Sequence, residues 1–191
     1  MTDYSIQANS FLIELILSKG MTYPTWAIEP AGTIINSVEI NDTRTVLIDI
    51  PIDNVTSITL TNSGKTDQET IIEDGHIVKD QKISVNRIWV NEILLENSFV
   101  INQSQTIPNY SQSNLDYAIE HNIELDKVLF TDTLYFNGIW KFNFKQPFFK
   151  WYNQIIINEL SGFNHWVTQS HLGLADDNQV EKLERLINQL A

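Results

Sequence analysis

The stretch from Leu134 to Tyr152, LYFNGIWKFNFKQPFFKWY, holds the densest concentration of aromatic residues in the chain and restricts what can form around it. Trp140, Phe142 and Phe144 alternate with Lys141, Asn143 and Lys145. That period of two gives a strand one dry face and one wet face, whereas a helix would scatter the rings around its circumference. Asn137-Gly138, both tolerant of positive φ, stands just before the alternation. Val128–Phe136 and Ile139–Lys145 therefore read as the arms of a hairpin. Burying each ring contributes about 1.5–3 kcal/mol, which makes this strand the expected nucleus of the core. Pro147 ends the ladder. Phe148, Phe149, Trp151 and Tyr152 follow it without clean alternation, leaving a further strand and a short irregular turn both open. Core packing accounts for such rings without a ligand, while a sugar-stacking platform needs one of them exposed.

Short β-branched runs recur upstream of this stretch: Ile34–Ile40, Val46–Ile50 and Val55–Thr61, separated by Asn, Asp, Thr and Pro. Asp74-Gly75, set between Thr70–Ile72 and Ile77-Val78, is the strongest two-residue hairpin signal in the chain. Ile83–Val90 reads as a central strand in which Ile83, Val85 and Trp89 fall out of step with Ile88 and Val90, which calls for a bulge or burial on both faces. Asn91–Val100 reads as a further hairpin arm. Ile101–Glu124 is polar and contains Pro108, so it reads as a long excursion with one helical turn at Tyr117–Ile119. Before the strands, Asn9 or Ser10 caps a predicted short helix through Leu17 with Gly20 as its stop, an edge strand being the competing reading. Pro24 and Pro30 bracket an extended link. After the strands, Asn178–Glu181 offers a capping box. Val180, Leu183, Ile187 and Leu190 then follow at intervals of three, four and three, an a/d seam spanning fewer than two heptads.

Strands at this spacing without intervening amphipathic helices predict a mainly β protein. The expected architecture is an antiparallel, jelly-roll-like β-sandwich with a short N-terminal helix or docking segment and a C-terminal helix. The expected boundaries are 1–33 for the docking segment, 34–160 for the sandwich, and 161–191 for a connector and amphipathic helix.

With twelve basic and twenty-four acidic residues the formal charge is −12, which repels phosphate backbones and anionic lipid and argues against nucleic acid as a partner. The longest apolar run, Phe11–Leu17, is broken by Glu14 and is far shorter than the roughly twenty residues that span a bilayer. No basic region precedes it, so it does not read as a signal peptide either. The absence of cysteine excludes disulfides and thiolate metal sites.

No G-x-S-x-G elbow, P-loop or dinucleotide fingerprint occurs. His165 and His171 are six apart, which matches no zinc spacing, and isolated histidines account for them. The carboxylates best spaced for a metal are Asp67, Glu69, Asp74 and Asp80, and the ion they would take is calcium. They do not form an EF-hand loop, because Ile71 occupies the fifth position counted from Asp67. A solvated turn in an acidic protein is the competing account.

Two segments resemble a lectin-like β-sandwich domain of tailed-bacteriophage structural proteins, a domain compared with carbohydrate-binding modules. The first comprises Gly64-Lys65-Thr66, Thr70, Gly75-His76-Ile77, Asp80 and Ile83, running into Ile88-Trp89-Val90-Asn91. The second comprises Asn137-Gly138, Trp140, Phe142, Phe144 and the ending Pro147-Phe148-Phe149-x-Trp151. The resemblance covers roughly Ile34–Tyr152 and departs from the pattern at Glu69, where aspartate is expected before the threonine. It implies a jelly roll, a virion location in a particle assembled in the host cytoplasm, and sugar binding. It does not imply catalysis.

The first function expected is thus a non-enzymatic structural protein of a bacteriophage virion. Its partners would be other virion subunits, including further copies of itself in a homo-oligomer. Val180, Leu183, Ile187 and Leu190 would then form an assembly interface. The alternative is a carbohydrate-binding module for a host surface glycan, with Trp26, Trp89, Tyr152 and Trp166 as stacking rings and calcium assisting. An enzyme of the glycosidase kind is a third reading, since paired carboxylates meet only in the fold.

Overall fold

The computed structural model of the protein describes residues 10–52 and 54–169, with side chains as far as residue 158. The chain divides into two compact units at Gln146-Pro147.

In the first unit the strands are β1 (Ser10–Ser18), β2 (Thr25–Glu29), β3 (Thr33–Ile40), β4 (Thr43–Pro51), β5 (Ser57–Ser63), β6 (Thr70–Glu73), β7 (His76–Asp80), β8 (Lys82–Val90), β9 (Ile93–Leu94), β10 (Ser104–Asn109), β11 (Thr133–Leu134) and β12 (Asn137–Asn143). Two short helices, α1 (Asn97–Asn102) and α2 (Gln112–Glu120), flank β10. One sheet runs β11-β8-β1-β4-β3 with β9 also paired to β8, a second runs β10-β12-β5-β2, and β6-β7 forms a separate hairpin. Every pairing is antiparallel. The protein is mainly β, as its sequence predicts.

The core follows from period-two patterning. Phe11, Ile13, Leu15 and Leu17 of β1 are buried, as are Val46, Ile48 and Ile50 of β4 and Ile83, Val85, Ile88 and Val90 of β8. Facing them are Ile58 and Leu60 of β5 and Trp140 and Phe142 of β12. The two sheets meet in edge-on ring contacts, with Phe11 at 6.0 Å from Phe142 and 5.0 Å from Phe144. Offset and edge-on geometries suit the quadrupoles of the rings. The result is a β-sandwich-like body.

Several expectations about local structure hold. Asp74 and Gly75 take φ of 51° and 78° and turn β6 into β7. Along β8 the partner of Glu14 is Arg87 and that of Leu15 is Val85, so Asn86 is the extra residue of a bulge. That bulge brings Ile88 and Val90 back into step with Ile83 and Val85 on the buried face.

Others are corrected. Ser10–Ser18 is neither helix nor edge strand: β1 lies between β4 and β8, because Phe11, Ile13, Leu15 and Leu17 fill one face by alternation. A docking segment ending at residue 33 is therefore not separate from the sandwich. Asn137-Gly138 is not a hairpin turn. Both residues lie inside β12, whose partners are β10 and β5, while Thr133-Leu134 joins the other sheet through β8. Gly138 is required by close approach, since a Cβ there would run into the carbonyl oxygen of Ile107 on β10.

The second unit contains α3, Phe148–Gln169, where a further strand or a short irregular turn was left open within a sandwich expected to reach residue 160. Pro147 stands just ahead of its first turn, the position proline tolerates. Phe148, Trp151 and Tyr152 have i, i+3, i+4 spacing, and the Phe148 ring lies 5.6 Å from Trp151 and 5.9 Å from Tyr152. No helix of the described residues is long and apolar enough to cross a membrane.

Candidate functional site

The polar residues of the resemblance converge on the segment between β5 and β6. Lys65 Nζ donates to Asp80 Oδ1 at 2.6 Å, to the Gln81 carbonyl at 2.9 Å and to the Tyr135 carbonyl at 2.5 Å, which uses all three of its protons. Thr70 Oγ1 donates to the same Asp80 oxygen at 2.6 Å. The Asn137 side chain pairs with the Lys65 backbone in both directions, accepting from its N–H and donating to its carbonyl, each at 2.8 Å. The bonds to Tyr135 and Asn137 join residues some seventy positions apart and hold the segment against β12, while those to Asp80 hold it against β7.

Glu69, where the sequence departs from the pattern it resembles, has its own task. It is 8% exposed, and its carboxylate accepts from the Met21 N–H at 2.7 Å, the Thr22 N–H at 2.9 Å and Thr22 Oγ1 at 2.8 Å. Burial pushes the carboxyl up. The bonds from Thr22 and Met21, with the field of Lys65, outweigh burial and hold it below its ordinary value. Gly20 permits this approach, because a Cβ there would collide with the Glu69 backbone and lie 2.7 Å from its Oε2.

Beside this pinned segment lies a cleft of about 280 Å³ between residues 65–70 and α2. Tyr110, Tyr117, Tyr135 and Phe136 supply aromatic walls, and Asp67 and Asn114 supply polar ones. Tyr110 is fixed at both ends, its ring 5.4 Å from Phe136 and its hydroxyl donating to the Asp126 carbonyl at 3.1 Å. Ser111 caps α2, accepting from the Asn114 N–H at 3.3 Å. Ser111 and Ser113 place their hydroxyls 3.3 Å and 2.7 Å from the two Asp67 oxygens. Such a cleft can hold a small ligand by ring stacking and hydrogen bonds.

The residues singled out from sequence are placed as follows. Asp67 sits at the cleft, Glu69 faces Met21 and Thr22, Asp80 holds Lys65 and Thr70, and Asp74 is exposed at the β6-β7 turn. The four carboxylates do not converge. Among the described residues no three His, Asp or Glu side chains group so as to hold a metal ion, so this donor set does not fit calcium.

Trp26 on β2 and Trp89 on β8 are both half-buried but belong to different sheets, and Trp89 points away from the buried face of its strand. They cannot form one platform. Tyr152 stacks on Phe148 within α3. Trp166 lies on the same helix, beyond the described side chains, and Val180, Leu183, Ile187 and Leu190 lie outside the described residues. The cleft tyrosines come from the polar excursion and the β11-β12 connection, where no periodicity announced them. Ser111, three residues before Asn114, was the one local signal for α2.

A second surface stands out at the far edge of the larger sheet. All eight residues of β3 are exposed, including Ile34, Ile35, Val38 and Ile40, the last at 67%. β4 pairs one edge of this strand. Among the described residues the other edge has no partner strand.

Comparison with family models, with curated proteins and with solved structures returns no match.

Proposed function

We propose that the chain is a non-enzymatic structural subunit of a tailed-bacteriophage virion, a jelly-roll-like sandwich that acts by holding neighbouring subunits, further copies of itself among them. The observation that carries this reading is β3, a strand with seven uncharged residues of eight and, among the described residues, an open edge: its only charged residue, Glu39, is paired with Arg44 at 2.7 Å. Long apolar edges are templates for pairing, and chains that remain single blunt them with charge, proline or brevity. β3 has eight residues and neither lysine nor proline. Such a surface fits a protein that is covered in its working state.

The non-enzymatic part rests on the polar side chains near the cleft. Lys65, Asp80 and Glu69 are occupied in holding backbone and one another, which is the work of a scaffold.

Light scattering tests the reading. The purified chain should have a defined oligomeric mass, and Val38→Lys with Ile40→Lys should lower it while the melting temperature stays put. Removal of the last fourteen residues probes the heptad-like tail in the same way. A chain that is monomeric in every form rules out homo-assembly, and its absence from purified particles of the phage that encodes it rules out a virion role.

A further inference from the structure

We propose that the open edge of β3 pairs with the same edge of a second copy of this chain, antiparallel about a two-fold axis that passes between the two Val38 residues. One sheet then runs through both chains. This deepens the assembly reading and rests on it, naming the partner of that surface and its register.

Charge selects the occupant. A chain with a formal charge of −12 repels its own copies, so self-contact is favoured where charge is cancelled. Along β3 it is cancelled. The Glu39 carboxylate accepts from Arg44 at 2.7 Å and 3.2 Å, and the next charge in the chain, Asp42, is paired with Lys79 at 2.6 Å. The backbone N–H and C=O groups of an open edge are satisfied by another strand. A two-fold perpendicular to the sheet makes that pair antiparallel, as every pairing within the chain already is, and keeps the outward faces of both copies on one side.

The register follows from the side chains. Ile34 stands opposite Ile48 and Asn36 opposite Leu47, which leaves Ile35 as the extra residue of a bulge and Asn36–Ile40 as the regular run. Ser37 and Glu39 pair with Val46 and Arg44, so they share the face of buried Val46. Asn36, Val38 and Ile40 lie on the outward face. Residues directly opposite each other in an antiparallel pair share a face, so the axis must fall on a residue and not between two.

Centred on Val38, the regular run lies wholly on its own copy. Val38 meets Val38, Ile40 meets Asn36, and Glu39 meets Ser37, whose hydroxyl can donate to the carboxylate. Val38 and Ile40, 47% and 67% exposed in the single chain, are then diagonal neighbours across the seam. Moving the axis to Glu39 sets two carboxylates opposite each other, which is destabilising. Moving it to Ser37 sets Glu39 against Ile35 in the bulge.

The chain has no cysteine, so single introduced cysteines test the register cleanly. Opposite residues have Cα atoms about 4.5–5.5 Å apart, within disulfide reach, whereas Ile40 and its own copy would be offset by about 14 Å along the strands. On mild oxidation of the full chain, Val38→Cys should give a disulfide dimer in several times the yield of Ile40→Cys. Asn36→Cys mixed with Ile40→Cys should give a heterodimer that neither gives alone. Equal yields from Val38→Cys and Ile40→Cys, or no Val38→Cys dimer, overturn the proposal. An edge covered by another segment of this chain or by a different protein gives that same no-dimer result. Light scattering on the unsubstituted chain separates the two readings. An oligomer without the selective cross-link overturns this pairing and leaves assembly through another surface, whereas a monomer without it overturns both.

Discussion

β1 and β3 flank the same strand. β4 pairs Ser10–Ser18 along one edge and Thr33–Ile40 along the other, and both neighbours are rich in aliphatic and β-branched residues. Yet Phe11, Ile13, Leu15 and Leu17 are buried, while every residue of β3 is exposed. Local propensity does not separate them. What does is the opposite layer: β1 lies across from β12, with Phe11 against Phe142, whereas β3 is the last strand of its sheet. A strand's stabilisation depends on what covers its faces, so the same residue types act as core in one position and as contact surface in the other.

The largest expected effect tests that contrast directly. Leu15→Ala in β1 should destabilise the fold by about 2–5 kcal/mol, the cost of removing three buried carbon atoms and leaving a cavity in a packed core. Val38→Ala in β3 should change monomer stability by no more than about 0.5 kcal/mol. Denaturant melts of the two variants side by side decide it. Equal losses would mean that β3 is covered in the isolated chain and would break the comparison.

A middle-sized effect belongs to the exit of β1. Glu69→Gln keeps the shape but removes the charge and replaces one of the two accepting oxygens by an NH2 donor, and should cost about 1–3 kcal/mol. The same group gives a pH dependence whose sign is fixed. Because the folded carboxyl lies below its ordinary value of 4.5, its contribution is complete above that value and is lost as pH falls through the lower, folded value. Thermal melts below pH 4.5 should therefore converge for wild type and Glu69→Gln, having differed at neutral pH. A gap that stays constant down to low pH would show that the loss is packing and not charge.

The smallest effect on stability, and the largest on association, is expected from lysine at Val38 and Ile40. A fall in oligomeric mass without a fall in melting temperature sharpens the division between a buried strand and a contact strand.

Much of the strand layout was legible in the residues. The Asp74-Gly75 turn was readable because positive φ at two successive positions restricts residue choice to a few types. The bulge in β8 was readable because the buried set changes parity between Val85 and Ile88. Asn137-Gly138 misled for the same reason that Asp74-Gly75 did not. The dipeptide fits a turn, but here Asn137 pairs with the Lys65 backbone and Gly138 makes room for Ile107. Neither contact leaves a local trace, since the partners are about seventy and thirty residues away. The helical spacing of Phe148, Trp151 and Tyr152 was present in the sequence and was masked by the alternating rings just before it.

The candidate site was legible only in its scaffold. Lys65, Thr70, Asp80 and Asn137 could be picked out as a pattern, but their roles as mutual anchors required seeing the partners. Tyr110, Tyr117 and Asp67 meet in a cleft across more than forty residues of chain, and no spacing rule spans that distance.

By itself, then, the sequence determined which segments extend, where the tight β6-β7 turn falls and which alternate residues are fit for a core, because backbone sterics and side-chain period act within a few residues. Only the tertiary structure decided that β1 lies inside its sheet and β3 at the edge, that Glu69 faces Met21 and Thr22, and that three tyrosines line one cleft. Those outcomes depend on which surface lies opposite each strand and on hydrogen bonds between distant residues, and neither is encoded in any short stretch of the chain.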